Sequence, residues 1–179
     1  MTDVASARGV AKGCGVLHVV LFQPEIPHNT GAVGRLCLAT GARLHLIKPL
    51  GFSLDDKQLK RAGPDYWAEV DVRVWDSFDA MRAAAATGAE FFFLTTKAAH
   101  LHWDAPLTAG ECYLVFGPET RGLPESMLVQ EIDRAIRIPM QGTRSLNLAT
   151  AAGIVMYEAM RQREVKDSGI KIQESGRIQ

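Results

Sequence analysis

The sequence predicts a single-domain α/β fold, built on a mostly parallel β-sheet with helices on both faces. Short, apolar, β-rich segments alternate along the chain with segments of helical spacing, which is typical of parallel sheets. The length of 179 residues fits one domain of ordinary size. Hydrophobic residues make up 47% and charged residues 22%, so the chain supplies a substantial core and global disorder is not expected.

Six short segments are predicted to be strands, five because they are largely apolar and one, residues 70–75, because its apolar and polar residues alternate. They are residues 16–22, 43–49, 70–75, 90–96, 112–117 and 135–140. Helices are predicted over residues 30–40, 55–62, 77–87, 124–131 and 146–163. Asn29 or Thr30 is the candidate N-cap of the first helix, Ser77 opens the third, and Pro124 suits the first turn of the fourth.

The two ends of the chain differ in composition from its middle. Residues 1–15 are small and polar and predict a flexible tail, and residues 164–179 predict a polar tail of mixed charge. The folded domain is therefore expected over residues 16–163.

The sequence predicts a cytoplasmic protein without membrane association. No apolar run approaches the ~20 residues that a membrane-spanning helix needs, and the N-terminus lacks a hydrophobic signal core. The balance of 20 basic and 20 acidic residues argues against a strong, sequence-blind polyanion binder. It still permits a local basic stripe for nucleic acid.

Neither a disulfide framework nor a metal site is expected. The cysteines are Cys14, Cys37 and Cys112, an odd number without CxxC spacing, and the last two are predicted core residues. His100 and His102 are close in sequence, but no carboxylate or cysteine completes a ligand set, so they are interpreted as part of a polar loop.

Four unusual segments follow predicted strands, where ligands of open α/β sheets gather. They are residues 28–35, 94–97, 116–124 and 138–147. In the third, Gly117 allows close approach to the backbone, and Glu119 and Arg121 place both signs of charge in one loop. A rigid turn with a surface ion pair explains that loop equally well. Ser145 or Asn147 is expected to cap the last helix, whose N-terminus also suits an anion.

Several common chemistries lack their sequence signatures here. No GxGxxG follows the first strand, and there is no GxxxxGK[ST], HExxH or GxSxG. An ordinary dinucleotide-binding fold, a P-loop nucleotidase, a zinc protease of that type and an α/β-hydrolase are therefore not predicted.

Three motifs resemble those of the SPOUT methyltransferases, over about residues 16–163. The first is Asn29-Thr30-Gly31 with Arg35, the second is FGPETRGLP, and the third is RIPM followed by RSLNLATAAGIVMYEA. KRAGPDYW, residues 60–67, is similar to a segment of the compact subgroup that modifies the tRNA wobble ribose.

The resemblance implies an S-adenosylmethionine-dependent enzyme that methylates the ribose 2′-hydroxyl of the wobble nucleotide, position 34 of tRNA. It implies a deep trefoil knot in the C-terminal part of the chain, an obligate homodimer, a tRNA anticodon stem-loop as partner and no metal. Pattern reasoning alone would not propose a knot, because knotted folds are rare.

The resemblance also implies roles for individual residues. The cofactor-binding residues would be Leu94, Thr95, Gly117, Ile138, Met140, Ser145 and Leu146. The catalytic and substrate-positioning residues would be Arg35, Asn29, Glu119, Ser145, Asn147 and Tyr157. The RNA-binding residues would be Lys57, Lys60, Arg61, Lys97 and Arg121, of which the first three share spacings that place them on one helix face.

In the family, the arginine that matches Arg35 is proposed to activate the ribose hydroxyl. A guanidinium has a pKa above ~12 and is normally never deprotonated. Two interpretations remain open: a base whose pKa is lowered by burial and a nearby sulfonium, or a group that orients ribose and phosphate while the proton leaves by another route.

Two positions depart from the family pattern, and two aromatic residues allow two interpretations. Ala32 and Ala149 stand where asparagine and serine are common, so side-chain hydrogen bonds are not expected from them. Tyr66 and Trp67 either stack on an unpaired base or belong to the core. The small residues 149–153 of the last helix predict close packing against another element or a second subunit.

Two alternative functions are kept. One is 2′-O-methylation of another tRNA site or of ribosomal RNA. The other is an inactive SPOUT-like RNA-binding protein, against which the intact Asn29, Arg35, Glu119 and Ser145 argue.

Overall fold

A seven-stranded sheet forms the centre of the protein, whose computed structural model describes residues 15–54 and 67–168. The strands are β1 (Leu17–Phe22), β2 (Arg43–Ile47), β3 (Val72–Trp75), β4 (Glu90–Leu94), β5 (His100–Leu101), β6 (Cys112–Phe116) and β7 (Ala135–Arg137). Their order is β3-β2-β1-β6-β4-β7-β5, and every pairing is parallel. The predicted mostly parallel α/β sheet is confirmed.

Helices cover both faces of the sheet, as predicted. They are α1 (Pro27–Thr40), α2 (Phe78–Ala83), α3 (Glu125–Gln130) and α4 (Leu148–Ser168), with a short 3₁₀ turn at Ile132–Arg134. Ser77 caps α2, because its Oγ accepts a hydrogen bond from the Ala80 amide at 3.1 Å.

The hydrophobic core has two halves because successive strand residues point to opposite faces of the sheet. On one face, Val19 and Leu114 pack with Cys37 of α1 and Met156 of α4. On the other face, Val20, Phe93 and Val115 pack with Phe78 and Met81 of α2. Cys37 and Cys112 are fully buried, which confirms them as core residues.

The first helix begins earlier than predicted, and its predicted caps are wrong. Pro27 occupies its first turn, where the missing amide proton is not needed, and Ile26 is the N-cap residue. Asn29 and Thr30 therefore lie inside the helix, and both are buried. The helix ends as predicted at Gly41, whose φ of +70° is the left-handed conformation that glycine favours.

Three further features of the fold differ from the prediction. Strand β5 was not predicted, because its two residues are too short to show a period, and it places His100 on a strand. His102 is buried, so the predicted polar loop is wrong there. Helix α4 continues to Ser168, so the beginning of the predicted C-terminal tail is helical.

The predicted helix over residues 55–62, with Lys57, Lys60 and Arg61, lies outside the described residues, as does Tyr66. The same holds for residues 1–14 and 169–179 of the predicted tails. Among the helices that are described, none has the length and apolar character required to cross a lipid bilayer.

Candidate functional site

A cavity of about 530 Å³ opens at the carboxyl ends of β4, β6 and β7. Its wall is apolar where the strands end and polar where the following loops form the rim. The apolar side chains are Leu94, Phe116, Ile138, Met140 and Leu146. This is the edge of the sheet at which open α/β proteins bind ligands.

The structure brings most of the predicted site residues together around this cavity. All of the residues expected to hold the cofactor line it: Leu94, Thr95, Gly117, Ile138, Met140, Ser145 and Leu146. Asn29, Glu119, Asn147, Lys97 and Arg121 also line it. Segments far apart in sequence therefore form one concave surface.

The loop after β6 is folded back tightly on itself at Gly117. A Cβ atom at this position would lie 2.3 Å from the backbone nitrogen of Leu123 and 2.4 Å from the backbone carbon of Gly122. Gly122 itself has a φ of +69°. Only glycine fits at position 117, and the close approach leaves backbone atoms rather than a side chain at the cavity wall.

Three polar side chains from three loops form what we call the loop network: Glu119, Asn29 and Asn147. The Asn29 amide nitrogen donates to Glu119 Oε1 at 3.0 Å, and the Asn147 amide nitrogen donates to Asn29 Oδ1 at 2.9 Å. Asn147 Oδ1 also accepts from the backbone amides of Ala149 and Thr150, so Asn147 caps α4 as predicted. The network fixes the rim of the cavity to the starts of α1 and α4.

Two carboxylates tie the loop after β1 to the loop after β6. Glu119 accepts hydrogen bonds from the backbone amides of Glu25 at 2.9 Å and Ile26 at 3.3 Å. In return, Glu25 accepts from the backbone amide and the hydroxyl of Thr120, at 3.0 and 2.9 Å. Glu119 is thus a bridge between loops, and the simple alternative of a surface ion pair with Arg121 is wrong.

Arg121 is directed to a neighbouring loop rather than to an acid. Its guanidinium donates to Gln23 Oε1 at 2.8 Å. Gln23 has a φ of +51°, an unusual conformation for a residue with a side chain. Gln23 follows β1 and Arg121 lies in the loop after β6, so this contact is a further link between these two loops.

Arg35 and Tyr157 do not line the cavity. Arg35 is exposed and lies on a groove of about 520 Å³ between α1 and α4. The groove is lined by His28, Ala32, Arg35, Leu36, Ala39, Ala149 and Thr150. Tyr157 is 53% exposed on α4. Within one chain, the proposed hydroxyl-activating residue is therefore separated from the predicted cofactor residues.

Ala32 and Ala149, the two departures from the family pattern, both lie on this α1–α4 groove. Their methyl groups make it more apolar than asparagine and serine would. The backbone amide of Ala149 still donates to Asn147, so the helix cap does not depend on the missing hydroxyl.

Trp67 packs on α1. A Cβ atom at Gly34 would lie 2.5 Å from Cζ3 of the Trp67 ring, so the ring occupies the space that a side chain would need. Trp67 also packs against the core beneath α1 and α4. This placement supports the core interpretation of Trp67 over base stacking.

A second buried polar cluster, which we call the histidine chain, lies towards the amino ends of the strands. Trp75 Nε1 donates to His45 Nδ1 at 3.0 Å, which places the His45 proton on Nε2. That proton is donated to His18 Nδ1 at 2.9 Å, and His18 Nε2 donates to Glu111 Oε2 at 2.5 Å. The Tyr113 ring stacks on His18 with 4.0 Å between centroids.

Burial governs the protonation of the histidine chain. It lowers the pKa of His45 to about 3. It also lowers the pKa of His18, although the hydrogen bond with Glu111 opposes that shift. Both imidazoles are therefore neutral at physiological pH, which the hydrogen-bond directions require.

A buried arginine lies near the same amino ends of the strands. Arg163 of α4 is 7% exposed, and its guanidinium donates to the backbone carbonyls of Leu107, Gly15 and Ala109. These carbonyls belong to the segments that lead into β1 and β6. The arginine therefore joins the end of the last helix to the start of the sheet.

Sequence reasoning missed several residues of the site and of these clusters. Glu25 and Thr120 act across 95 residues of sequence, a contact that no local pattern indicates. Arg137 and Arg144 line the cavity but were not singled out. Their position, at the carboxyl end of β7 for Arg137 and in the loop after it for Arg144, was the available signal.

No group of three or more histidine, cysteine, aspartate or glutamate side chains within residues 15–54 and 67–168 is arranged to hold a metal ion. The two buried thiols are not reactive groups, because burial raises the pKa of Cys37 to about 12 and that of Cys112 to about 11.

Comparison with known proteins matches residues 16–157 to the SpoU rRNA Methylase family. A tRNA (cytidine(34)-2′-O)-methyltransferase of Methylovorus glucosotrophus is 51% identical over 148 residues, covering 82% of this chain and 95% of that protein. A solved structure described as giving structural insights into 2-OH methylation of C/U34 on tRNA has 50% identity and a TM-score of 0.78, covering 84% of this chain and 97% of that one.

The SpoU methyltransferase AviRb from Streptomyces viridochromogenes, solved in complex with AdoMet, has 27% identity and a TM-score of 0.72. The match covers 83% of this chain and 61% of that one. The family match covers most of the chain, and a relative with half of its residues identical supports it. The chain belongs to the SpoU rRNA methylase family.

Proposed function

We propose that this protein transfers the methyl group of S-adenosylmethionine to the ribose 2′-oxygen of the wobble nucleotide, position 34 of tRNA. The observation that carries the proposal is the loop network, which joins Asn29, Glu119 and Asn147 at the rim of one cavity. The Methylovorus relative, with half of its residues identical, is named for that reaction.

The cavity fits S-adenosylmethionine in size and chemistry. Its volume of about 530 Å³ lies within the usual range for sites that bind cofactor-sized ligands. Leu94, Ile138 and Leu146 would pack against the adenine and ribose, and backbone groups of the tight loop at Gly117, which lines the cavity, would form hydrogen bonds with the cofactor. The cofactor, when bound, supplies an activated methyl group.

The protein itself would promote methyl transfer mainly by positioning the substrate ribose. The loop network holds the rim in one arrangement, so a ribose seated there meets fixed hydrogen-bonding groups rather than mobile side chains. Alignment of the attacking oxygen with the methyl carbon and its leaving sulfur can supply much of a methyl-transfer rate. Ser145, at the mouth of the cavity, is a further candidate for contact with substrate.

We propose that a homodimer completes the site. Arg35 lies outside the cavity of its own chain, on a groove formed by α1 and α4 whose lining includes Ala32, Ala39 and Ala149. A second copy seated on this groove would bury Arg35 and bring it near a cavity. There it would orient the ribose and its phosphate, and Tyr157 on the same helix α4 would lie at the interface.

The C-terminal part of the chain is proposed to form the deep trefoil knot of the SPOUT fold. The supporting observation is that the loops after β6 and β7 both line the same cavity, although β4 lies between these two strands. A knotted crossing of these loops would hold backbone groups around the cofactor without a glycine-rich fingerprint.

The proposed partner is the anticodon stem-loop of tRNA. Lys97 and Arg121 at the cavity rim would contact its backbone, and Lys57, Lys60 and Arg61 are proposed to extend the basic surface. Backbone contacts of this kind position an RNA without reading its bases.

The test is transfer of labelled methyl groups to unmodified tRNA transcripts and to tRNA from a strain lacking the gene, followed by mapping of the modified nucleotide. Label at the ribose of position 34 in either RNA is the expected result. Label that maps outside the anticodon loop would overturn the proposal.

A further inference from the structure

Most basic side chains of the described residues have an internal partner. Six of them form ion pairs with carboxylates: Arg43, Lys48, Arg73, Arg82, Arg134 and Arg161. Arg163 and Lys166 bind backbone carbonyls, and Arg121 binds Gln23. Each of these cations has at least one partner within the protein.

Three basic side chains form no ion pair or side-chain hydrogen bond with any residue in 15–54 or 67–168: Lys97, Arg137 and Arg144. All three line the cavity. Lys97 follows β4, Arg137 ends β7, and Arg144 lies in the loop before α4. Three cations without a side-chain partner in the described part of the chain therefore line a single site.

The cavity does not neutralise these charges itself. Glu119 is the carboxylate among its lining residues, and both of its oxygens already accept hydrogen bonds from Asn29 and from the backbone amides of Glu25 and Ile26. The cofactor cannot neutralise them either, because its sulfonium and ammonium outweigh its one carboxylate. The arrangement suits an additional anion that arrives with the substrate.

We propose that Lys97, Arg137 and Arg144 form a phosphate-binding site for the RNA backbone that flanks the target ribose. This inference rests on the proposed function and assigns its substrate contacts. The two guanidiniums can each bind a phosphate through paired hydrogen bonds, and the lysine adds a point charge. Such contacts set the register of the nucleotide over the cavity and carry no base preference.

The experiment measures binding of full-length protein to a tRNA transcript by fluorescence anisotropy across a salt series, in the presence of S-adenosylhomocysteine. The variants are Arg137→Gln, Arg144→Gln and Lys97→Gln. The matched control is Arg73→Gln, which removes the same charge from an exposed, paired arginine on the edge strand β3. Cofactor affinity is measured on each variant by calorimetry.

Each arginine variant should lose RNA affinity by about tenfold. The slope of log affinity against log salt should fall by about 0.7 to 0.9 for each phosphate that the variant no longer binds. Cofactor affinity should stay as in the wild type, and Arg73→Gln should match the wild type in both measurements.

Two results would overturn the phosphate site. In one, RNA affinity and salt slope in both arginine variants equal those of Arg73→Gln. In the other, cofactor affinity falls instead, which would assign the arginines to the cofactor carboxylate. Methyl transfer is scored separately: a wild type that binds tRNA through these arginines without methylating it would contradict the proposed function and leave the phosphate site standing.

Discussion

The two ends of the sheet each carry a chain of hydrogen-bonded polar side chains, but the two chains differ in what surrounds them. The loop network at the carboxyl ends of the strands borders a cavity of about 530 Å³. The histidine chain at the amino ends is stacked against Tyr113 and Trp75, and its donors and acceptors are matched from end to end.

We infer that this difference separates polar residues that contact a ligand from polar residues that stabilise the fold. Both clusters satisfy their own hydrogen bonds, so satisfaction alone does not distinguish them. The charged neighbours do distinguish them: Lys97, Arg137 and Arg144, which have no side-chain partner within residues 15–54 and 67–168, line the same cavity as the loop network. The paired Arg43 and Arg73 lie near the histidine chain instead. Substitutions at the first end should therefore change activity, and substitutions at the second end should change stability.

The largest effect is expected from Glu119→Gln at the cavity. An amide cannot accept hydrogen bonds on both of its polar atoms, so one donor among Glu25, Ile26 and Asn29 would lose its partner. Single-turnover methyl transfer should fall about 100-fold, because a small displacement of a positioning group costs that much. The midpoint of thermal unfolding should change little, and a wild-type rate would contradict the assignment.

Arg163→Met should lower stability strongly and leave methyl transfer unchanged, the reverse of what is expected for Glu119→Gln. The substitution keeps the packing volume but leaves the carbonyls of Leu107, Gly15 and Ala109 without their donor. We expect a loss of about 3 kcal/mol in unfolding free energy, or a fall of about 10 °C in Tm. Calorimetry measures the Tm, and methyl transfer assayed well below it should equal that of wild type. Loss of methyl transfer in a variant that remains folded would show that the amino end of the sheet also contributes to activity.

Acid should destabilise the protein through the histidine chain. The folded state holds the pKa of His45 at about 3, whereas an unfolded histidine titrates near ~6.5. Between these values the unfolded state binds a proton that the folded state does not, so stability is full above pH ~6.5 and falls as the pH falls towards 3. Between pH 7.5 and 5 the Tm should drop by about 5 °C.

The matched variant for this pH effect is His45→Gln. Glutamine can still accept from Trp75 and donate to His18, but it has no proton to gain in this range. Its Tm should vary less between pH 7.5 and 5 than that of the wild type. An equal pH dependence in both proteins would assign the acid sensitivity to other groups.

The smallest effect is expected from Glu111→Gln, the counterpart of Glu119→Gln at the other end of the sheet. The glutamine oxygen still accepts from His18, so only the charge of that hydrogen bond is removed. The Tm should fall by about 2 °C, and methyl transfer should be unchanged. A fall in rate comparable to that of Glu119→Gln would show that the two ends are not separate in function.

The sequence was sufficient for the parts of the fold that depend on local pattern. The central strands were predictable because each is a short apolar run between turn residues, as at Leu17–Phe22 and Cys112–Phe116. The start of α1 was not, because Asn29 has the side chain of a cap but binds Glu119 from inside the helix. Strand β5 has too few residues for any periodicity.

The site was predictable only where its residues fall within motifs. Gly117, Ile138 and Ser145 were placed at the cavity by their motifs, and they line it. The histidine chain was not predicted, because His18 and Glu111 are 93 residues apart and each looks like an ordinary residue at the end of a strand. The separation of Arg35 from the cavity was also not predicted, because its motif groups it in sequence with Asn29, whereas the helix places Arg35 on the α1–α4 groove.

The position of β1 beside β6, the middle strand of the sheet, has a consequence for how the chain folds during synthesis. β1 pairs with β6 in the register Leu17 to Cys112, so the central pair cannot form until well over half of the protein has been made. Until then, one side of an apolar strand keeps its backbone amides and carbonyls unpaired, and such an edge invites pairing with other chains. Because β6 is made late, folding should be slow relative to that of proteins with mainly local contacts. The N-terminal half of the growing chain should bind chaperones during this interval.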